Sequence, residues 1–335
     1  MRVTIRKIAD ELSLSTATVS RALNQREDAF ISDATRQRVL NVAKELGYWP
    51  NNAARALVTG RTQTIGLWLN NMVYGHEPFY LDIICQVQRH ATQHQYELLM
   101  RSFTPEQQTE SSLGLAHLSV DGILAVDCPK PVLALLQGNA PSHVPIVSMG
   151  TYHVKQTDYV GVDLAVGARE AVEHLLTIGC NRLAYLGPAH EEELDDGTAR
   201  EMVYRDCLTA AGRLPEYIRA TDNTPAHTRE CLSAYIATHG CPDGIFCFND
   251  NMAIGAYRAI RDKGLRIPQD VALIGCDGIE IMEYFDPPLS TVVQPTQEMC
   301  SLAWQFLQNR LLNSHLPLQQ AMLKPRLLKR ASSER

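Results

Sequence analysis

The chain of 335 residues is 45% hydrophobic and 20% charged, the composition of an ordinary globular protein with room for two domains or one large one. It contains no run near the ~18 apolar residues of a membrane span, and its first residues lack the apolar centre of a secretory signal, so we expect a cytoplasmic protein. Its nine cysteines and eleven histidines show no CxxC or HExxH spacing, which argues against a disulfide framework and a metal site. The net charge of −6 divides into +4 over residues 1–61, called the head below, and −10 over the rest. This asymmetry favours a polyanion as the partner of the basic head.

The first fifty residues predict three short helices, two of them joined by a tight turn, as in a helix-turn-helix domain. Thr4, Ser15 and Ser32 precede the three helices as N-caps, and Gly47 ends the third. The inward-facing residues, at helical spacing, are Ile5, Ile8, Ala9, Leu12, Val19, Ala22, Leu23, Val39, Ala43 and Leu46.

Residues 51–61 predict a small hinge helix and linker between this domain (1–50) and a core (62–335). In the stretch NNAARALVTG the only large apolar side chains are Leu57 and Val58. A helix this short with so little to bury is marginal alone, so we expect it to need a partner or DNA.

From residue 62 onward short apolar runs alternate with helical stretches, with glycines at the joints. TIGLWL, DGILAVD and RLAYLGP are typical of the strands, and VGAREAVEHLLTIG of the helices. This alternation predicts an α/β fold with parallel sheets flanked by helices. Because the pattern restarts near residue 161, we expect two similar lobes.

The head contains the phrases TIRKIADELSLSTATVSRALN and TRQRVLNVAKELGYWPNNAARAL. The core contains HLLTIGCNRLAYLGP, FNDNMAIGAYRAIRDKGLRIPQDVALIGCD and PPLSTVVQP. In this order, from about residue 3 to residue 333, the sequence resembles the lactose repressor/galactose repressor family of bacterial transcription regulators.

This resemblance implies an all-α helix-turn-helix head, a hinge helix and a two-lobed periplasmic-binding-protein-like core. It places lobe 1 at about 62–161 and 292–321, and lobe 2 at about 162–291 and 322–331. It also implies a homodimer, in some members a tetramer, on a double-stranded DNA operator with palindromic half-sites. Because no heptad tail follows residue 330, we favour the dimer.

The resemblance places a set of DNA contacts in the head and hinge: Thr4, Ser15, Thr16, Ala17, Ser20, Arg21, Asn24, Arg55 and Leu57. The small Thr16 and Ala17 open the second helix, which enters the major groove, and Arg21 can bind guanine O6 and N7. Leu57 would be a wedge between base pairs in the minor groove. The alternatives are a solvated arginine at position 21 and a contact between Leu57 and the core.

Ser13 stands where the family has glycine, so its turn is expected to carry a backbone cost.

The resemblance also places effector contacts at Phe79, Tyr80, Arg200, Asn249 and Asp277. The fork of donors on Arg200 and the carboxylate of Asp277 suit a sugar or related polyol, while Phe79 and Tyr80 would form an aromatic wall. Phe79 is equally compatible with the helix core, and Asp163 is favoured as a helix cap over a ligand.

Residues 191–196 contain five carboxylates. They are either a solvated loop or a field that disfavours anionic effectors such as sugar phosphates.

These features favour an effector-controlled transcription regulator, in most cases a repressor. A solute-binding protein for sugar uptake without a DNA role is the alternative, and the basic head argues against it. An enzyme is the third reading, but the sequence has no GxGxxG, GxxxxGK[ST] or GxSxG motif. We therefore predict neither catalytic residues nor a cofactor.

Overall fold

The computed structural model describes residues 3–23, 31–48, 60–70, 78–103, 119–141, 143–151, 156–189 and 199–335. The chain divides into two compact units, Met1–Thr62 and Gln63–Arg335. Each unit is described by itself. Among the described residues, no helix combines the length and the apolar character that a bilayer span requires.

The first unit contains the three predicted helices, α1 (Ile5–Leu12), α2 (Thr16–Leu23) and α3 (Asp33–Glu45). Thr4 caps α1 by accepting from the amide of Lys7, and Ser32 caps α3 by accepting from the amide of Thr35. Their shared core consists of Ile8, Ala9, Val19, Ala22, Val39 and Ala43. The predicted inward faces and caps of these helices are therefore confirmed.

The turn between α1 and α2 passes through Ser13 in the left-handed conformation, with φ of 54° and ψ of 40°. Its amide donates to the carbonyls of Ala9 and Asp10, which closes the end of α1. A non-glycine residue pays roughly 1–2 kcal/mol for this conformation. The backbone cost expected of serine at this position is therefore present.

The described residues of the second unit form two six-stranded sheets. The strands of the first sheet are β1 (Thr64–Asn70), β2 (Glu97–Phe103), β3 (Gly122–Val126), β4 (Ile146–Gly150), β5 (Asp158–Val162) and β11 (Gln320–Leu323). Those of the second are β6 (Leu183–Pro188), β7 (Glu216–Ala220), β8 (Gly244–Cys247), β9 (Ala272–Asp277), β10 (Ser290–Val293) and β12 (Arg326–Leu328). The first sheet has the order β11-β5-β4-β3-β1-β2 and the second has the order β12-β10-β9-β8-β6-β7. All pairs are parallel except β10 with β12.

In the part of the unit that the structure describes, seven helices connect the strands, as expected for parallel sheets. They are α4 (Pro78–Gln93), α5 (Lys130–Asn139), α6 (Leu164–Thr177), α7 (Ala199–Ala210), α8 (Pro225–His239), α9 (Asp250–Asp262) and α10 (Thr296–Leu312). Short 3-10 turns cover Glu280–Tyr284 and Ala331–Ser333. The α/β fold with parallel sheets and an all-α head confirms the predicted fold class.

The chain passes between the two sheets three times. It leaves the first sheet after β5, returns to it from β10 through α10, and leaves again between β11 and β12. Parallel strands place their carboxyl ends along one edge of a sheet, where open α/β folds bind ligands. The residues that follow each strand therefore define the candidate site of this unit.

Candidate functional site

The exposed face of α2 carries the predicted base contacts. Thr16, Ala17 and Arg21 are exposed, whereas Val19 and Ala22 on the opposite face are fully buried. The helix is thus held by its apolar side and presents two small side chains and one long cation to the outside. This arrangement suits a helix that enters a groove of DNA.

The start of α2 is fixed by side-chain hydrogen bonds. Ser15 Oγ accepts from the Thr18 amide at 3.0 Å and lies 2.8 Å from Thr18 Oγ1. Ser15 therefore caps the helix, and Thr18 bonds within the head. Thr4, whose Oγ1 accepts the cap hydrogen bond from the Lys7 amide, is exposed, and Ser20 is half-buried.

Some predicted contacts lie outside the residues that the structure describes. They are Asn24, Arg55 and Leu57, together with the hinge helix and the carboxylates of residues 191–196. Their roles stay predictions.

The carboxyl edge of the second sheet brings together Arg200, Asn249 and Asp277, the three polar residues predicted to contact an effector. Arg200, in the first turn of α7, donates from Nη1 to the Phe248 carbonyl at 2.9 Å, and its Cζ lies 3.7 Å from the Phe248 ring centroid. The same Nη1 is 3.9 Å from Cys276 Sγ. Phe248 directly precedes Asn249, and Cys276 directly precedes Asp277. The guanidinium of Arg200 is therefore adjacent to both strand ends.

Asn249 is 2% exposed and serves as the N-cap of α9, since its Oδ1 accepts from the Met252 amide at 2.9 Å. Asp277 is 9% exposed at the end of β9, with a φ of 129°. Its Oδ1 accepts from Gln294 Nε2 at 2.8 Å. Both side chains are thus held in place by hydrogen bonds within the protein.

The carboxylate of Asp250 stabilises the carboxyl edge of the second sheet through hydrogen bonds. It is fully buried and accepts from the amides of Gly278 at 2.8 Å and Ile279 at 2.9 Å, and from Thr291 Oγ1 at 2.6 Å. Burial raises the pKa of Asp250 to about 6, against the opposing effect of these hydrogen bonds. Gly275 leaves room for the carboxylate, because a Cβ there would overlap Asp250 Oδ1.

The carboxyl edge of the first sheet holds the aromatic pair at the start of α4. Phe79 is 6% exposed and packs in the core, while the half-buried Tyr80 meets it edge-on at 5.0 Å between ring centroids. Tyr80 donates its hydroxyl to Asp127 Oδ2 at 2.7 Å. Asp127 also accepts from the amide of Thr151 at 2.6 Å and from its hydroxyl at 2.8 Å. Tyr80, one of the two residues predicted to form an aromatic wall, is thus fixed by a buried carboxylate.

Three residues of these edges, Asp127, Asp250 and Gln294, were not predicted. Asp127 follows the apolar run GILAV as Asp277 follows ALIGC, and this repeated signal was available in the sequence. Asp163, predicted as a cap, accepts from the Ala165 amide at 3.2 Å at the start of α6. Within the described residues, no group of three His, Cys, Asp or Glu side chains is placed to hold a metal ion.

Comparisons with known proteins identify the family. The model for "Bacterial regulatory proteins, lacI family" matches residues 4–51, and that for "Periplasmic binding protein-like domain" matches residues 172–333. The HTH-type transcriptional repressor PurR of Escherichia coli O139:H28 is 31% identical over 98% of this chain and 96% of its own. The chain belongs to the lacI family of bacterial regulatory proteins. The resemblance found in the sequence is therefore confirmed.

Solved structures agree with membership of the lacI family. A complex of the transcriptional regulator CelR with cellobiose is 28% identical, with a TM-score of 0.68, and covers 99% of this chain and 100% of its own. The lac repressor dimer bound to operator and the anti-inducer ONPF is 23% identical, with a TM-score of 0.82 over 100% of both chains, which shows the shared fold.

Proposed function

We propose that this protein is a sequence-specific DNA-binding transcription regulator, a repressor, whose operator affinity is controlled by a sugar bound between two lobes. The observation that carries the proposal is the head: a lacI-family helix-turn-helix whose α2 exposes Thr16, Ala17 and Arg21 and buries Val19 and Ala22. Neither the transport of a sugar nor catalysis requires a helix-turn-helix head with such a face.

The chemistry of α2 supports readout in the major groove. Small side chains at Thr16 and Ala17 permit close approach to base edges and contact with a thymine methyl. Arg21 supplies the bidentate donor for guanine, worth roughly 1–3 kcal/mol of discrimination against another base. We infer that Arg21 is the main base reader of each half-site.

The effector proposal is supported by the two strand edges. Arg200 offers donors, Asp277 a carboxylate acceptor and Tyr80 an aromatic face, a combination that suits the hydroxyls and the apolar face of a sugar ring. CelR, which resembles this chain over its whole length, was solved as a cellobiose complex. Because binding and DNA affinity are linked, a sugar that prefers one arrangement of the lobes shifts operator affinity.

We propose the lobes as 62–161 with 292–321, and 162–291 with 322–331, preceded by the head at 1–50 and the hinge at 51–61. The membership of the strands in the two sheets supports this division of the core to within two residues, since each of the three boundaries falls inside a strand, β5, β10 or β11. We further propose a cytoplasmic homodimer on a palindromic operator, without catalytic activity. The DNA-binding head and the naming of relatives as transcriptional repressors support these points.

Selection of bound duplexes from a random DNA library tests the DNA role. We expect enrichment of a palindrome and its loss in Arg21→Ala at one base pair per half-site. Failure to enrich any sequence, with intact sugar binding, would instead favour the solute-binding alternative.

A thermal-shift screen with matched sugars and sugar phosphates tests the effector class and the role of residues 191–196. A larger shift with the phosphate would exclude the alternative in which the carboxylates of residues 191–196 disfavour anionic effectors.

A further inference from the structure

The guanidinium of Arg200 contacts Phe248 through both the side chain and the backbone of that residue. Arg200 Cζ lies 3.7 Å from the centroid of the Phe248 ring, and Arg200 Nη1 donates to the Phe248 carbonyl at 2.9 Å. The first distance places the ring face against the cation, well within the ~6 Å at which the two attract each other. Phe248 therefore holds the proposed donor of the effector site at two points.

Burial strengthens this contact. Arg200 is 8% exposed, so its charge has lost most of its contact with water. A cation that leaves water needs compensating partners, and a ring face becomes a stronger partner as water is excluded. Phe248 is itself half-buried and packs against the apolar core of the second unit. The ring is thus held by the core and not by the cation alone.

The backbone of Phe248 is fixed by the second sheet and by α9. Phe248 directly follows β8, and its amide donates to the carbonyl of Leu186 in the neighbouring strand β6 at 2.8 Å. The next residue, Asn249, is the N-cap of α9. A side chain placed by a sheet and a helix is held more precisely than one on a loop.

The stacked ring limits how a ligand can approach Arg200. The donors of a guanidinium lie in its plane, and its faces carry none. Because the Phe248 ring covers one face, a ligand hydroxyl has to meet Arg200 at its edge. Nη1 at that edge is 3.9 Å from Cys276 Sγ, and Cys276 directly precedes Asp277. The orientation of the guanidinium plane thus decides how its donors face the ligand groups that Asp277 would accept from.

We propose that Phe248 is a positioning residue of the effector site, whose ring orients the guanidinium of Arg200 toward the hydroxyls of the ligand. This inference rests on the proposed function. Without the ring, Arg200 retains the bond from Nη1 to the backbone carbonyl, but its plane can turn about that bond. Ordering the plane again costs part of the binding free energy. The loss of the ring therefore weakens binding without requiring a contact between the ring and the sugar.

The test uses variants of the full-length protein. Phe248→Leu removes the ring face but retains an apolar side chain and the backbone carbonyl, and Phe248→Tyr retains the ring face. Arg200→Gln removes the guanidinium, and combining it with Phe248→Leu completes a double-mutant cycle. Phe285→Leu is the matched control, because Phe285 is also half-buried and packs edge-on against Tyr257 at 4.8 Å between ring centroids.

Neutral sugars including D-ribose and cellobiose are first screened by thermal shift on the wild type. The sugar with the largest shift is then titrated calorimetrically into every variant. Urea unfolding without sugar shows which variants fold, and Phe248→Met, which also lacks a ring face, replaces Phe248→Leu if the latter does not.

We expect Phe248→Leu to weaken sugar affinity about tenfold and Phe248→Tyr to stay within about twofold of the wild type. In the Arg200→Gln background, Phe248→Leu should weaken affinity by less than about twofold, because no guanidinium is left to orient. Phe285→Leu should bind the sugar as the wild type does. If Arg200→Gln abolishes measurable binding, the contrast between Phe248→Leu and Phe248→Tyr decides.

Wild-type sugar affinity in Phe248→Leu, or equal weakening in Phe248→Leu and Phe248→Tyr, would overturn the inference and leave the proposed function standing. Equal losses from Phe248→Leu with and without the guanidinium would also overturn it, since they indicate a general effect on the site. A screen in which no neutral sugar stabilises the wild type, or wild-type affinity in Arg200→Gln, would overturn the proposed effector site and this inference with it. The DNA selection tests the regulator proposal separately.

Discussion

The buried carboxylate of Asp250 makes a measurable prediction about stability and pH. Its pKa is raised to about 6 in the folded protein, against roughly 3.9 in an unfolded chain. The folded state therefore binds this proton more tightly, and the stability it contributes is complete below the unfolded pKa and is lost as the pH rises through the folded pKa. At about 1.4 kcal/mol per pKa unit the full contribution is about 3 kcal/mol, reached well below pH 4, so the free energy of unfolding should fall by about 2 kcal/mol between pH 4 and pH 7 on account of this group.

Asp250→Asn should remove that component. The amide oxygen can accept from the amides of Gly278 and Ile279, and the amide nitrogen can donate to Thr291 Oγ1, so the variant is expected to fold. Urea unfolding of the full-length protein, followed by tryptophan fluorescence at pH 4, 5, 6 and 7, measures the effect. The difference in unfolding free energy between the wild type and Asp250→Asn should change by about 2 kcal/mol across this range.

Asp206→Asn, at an exposed position, is the matched control and should follow the wild type. A constant difference between the wild type and Asp250→Asn from pH 4 to pH 7 would refute the reasoning. It would mean that the three hydrogen bonds compensate the burial of the charge.

Three further changes have expected outcomes. Arg21→Ala should weaken operator binding by about 1–3 kcal/mol at one base pair per half-site and leave sugar affinity unchanged, as measured by gel shift on operator variants. Leu57→Ala should reduce DNA bending and specificity in a gel-based bend assay, because the proposed wedge is lost. Ser332→Ala should lower the free energy of unfolding by about 3 kcal/mol in urea, because the buried Ser332 Oγ donates to the Leu273 carbonyl at 2.7 Å and accepts from the Ser290 amide at 2.8 Å.

Each of these three predictions has an outcome that would contradict it. Unchanged discrimination at a G·C pair would contradict the role of Arg21, and wild-type bending would contradict that of Leu57. Ser314→Ala, at an exposed loop position, is the control for Ser332→Ala. Equal stability of the two variants would show that the Ser290 amide and the Leu273 carbonyl form hydrogen bonds with water or with each other when the Ser332 hydroxyl is removed.

The sequence predicted what depends on neighbours along the chain. The caps at Thr4, Ser15 and Ser32 involve residues three positions apart, and the buried faces of α1 to α3 follow helical spacing. The parallel sheets followed from apolar runs separated by helices.

The missed residues depend on contacts between distant parts of the chain. Gln294 meets Asp277 from 17 residues away, Thr296 meets Asp82 from 214 residues away, and Tyr80 meets Asp127 from 47 residues away. Local periodicity carries no information about which strand ends become neighbours in a sheet. Such pairs follow only from the strand order.

The strand order also bears on how the protein forms during synthesis. The first sheet is completed by β11 and the second by β12, so both receive an edge strand from residues 320–328. A nascent chain that ends before residue 320 exposes the unpaired edges of β5 and β10 at the same time, and such edges invite pairing with other chains. We therefore expect both lobes to reach their final cooperative stability together, when this last segment is released from the ribosome.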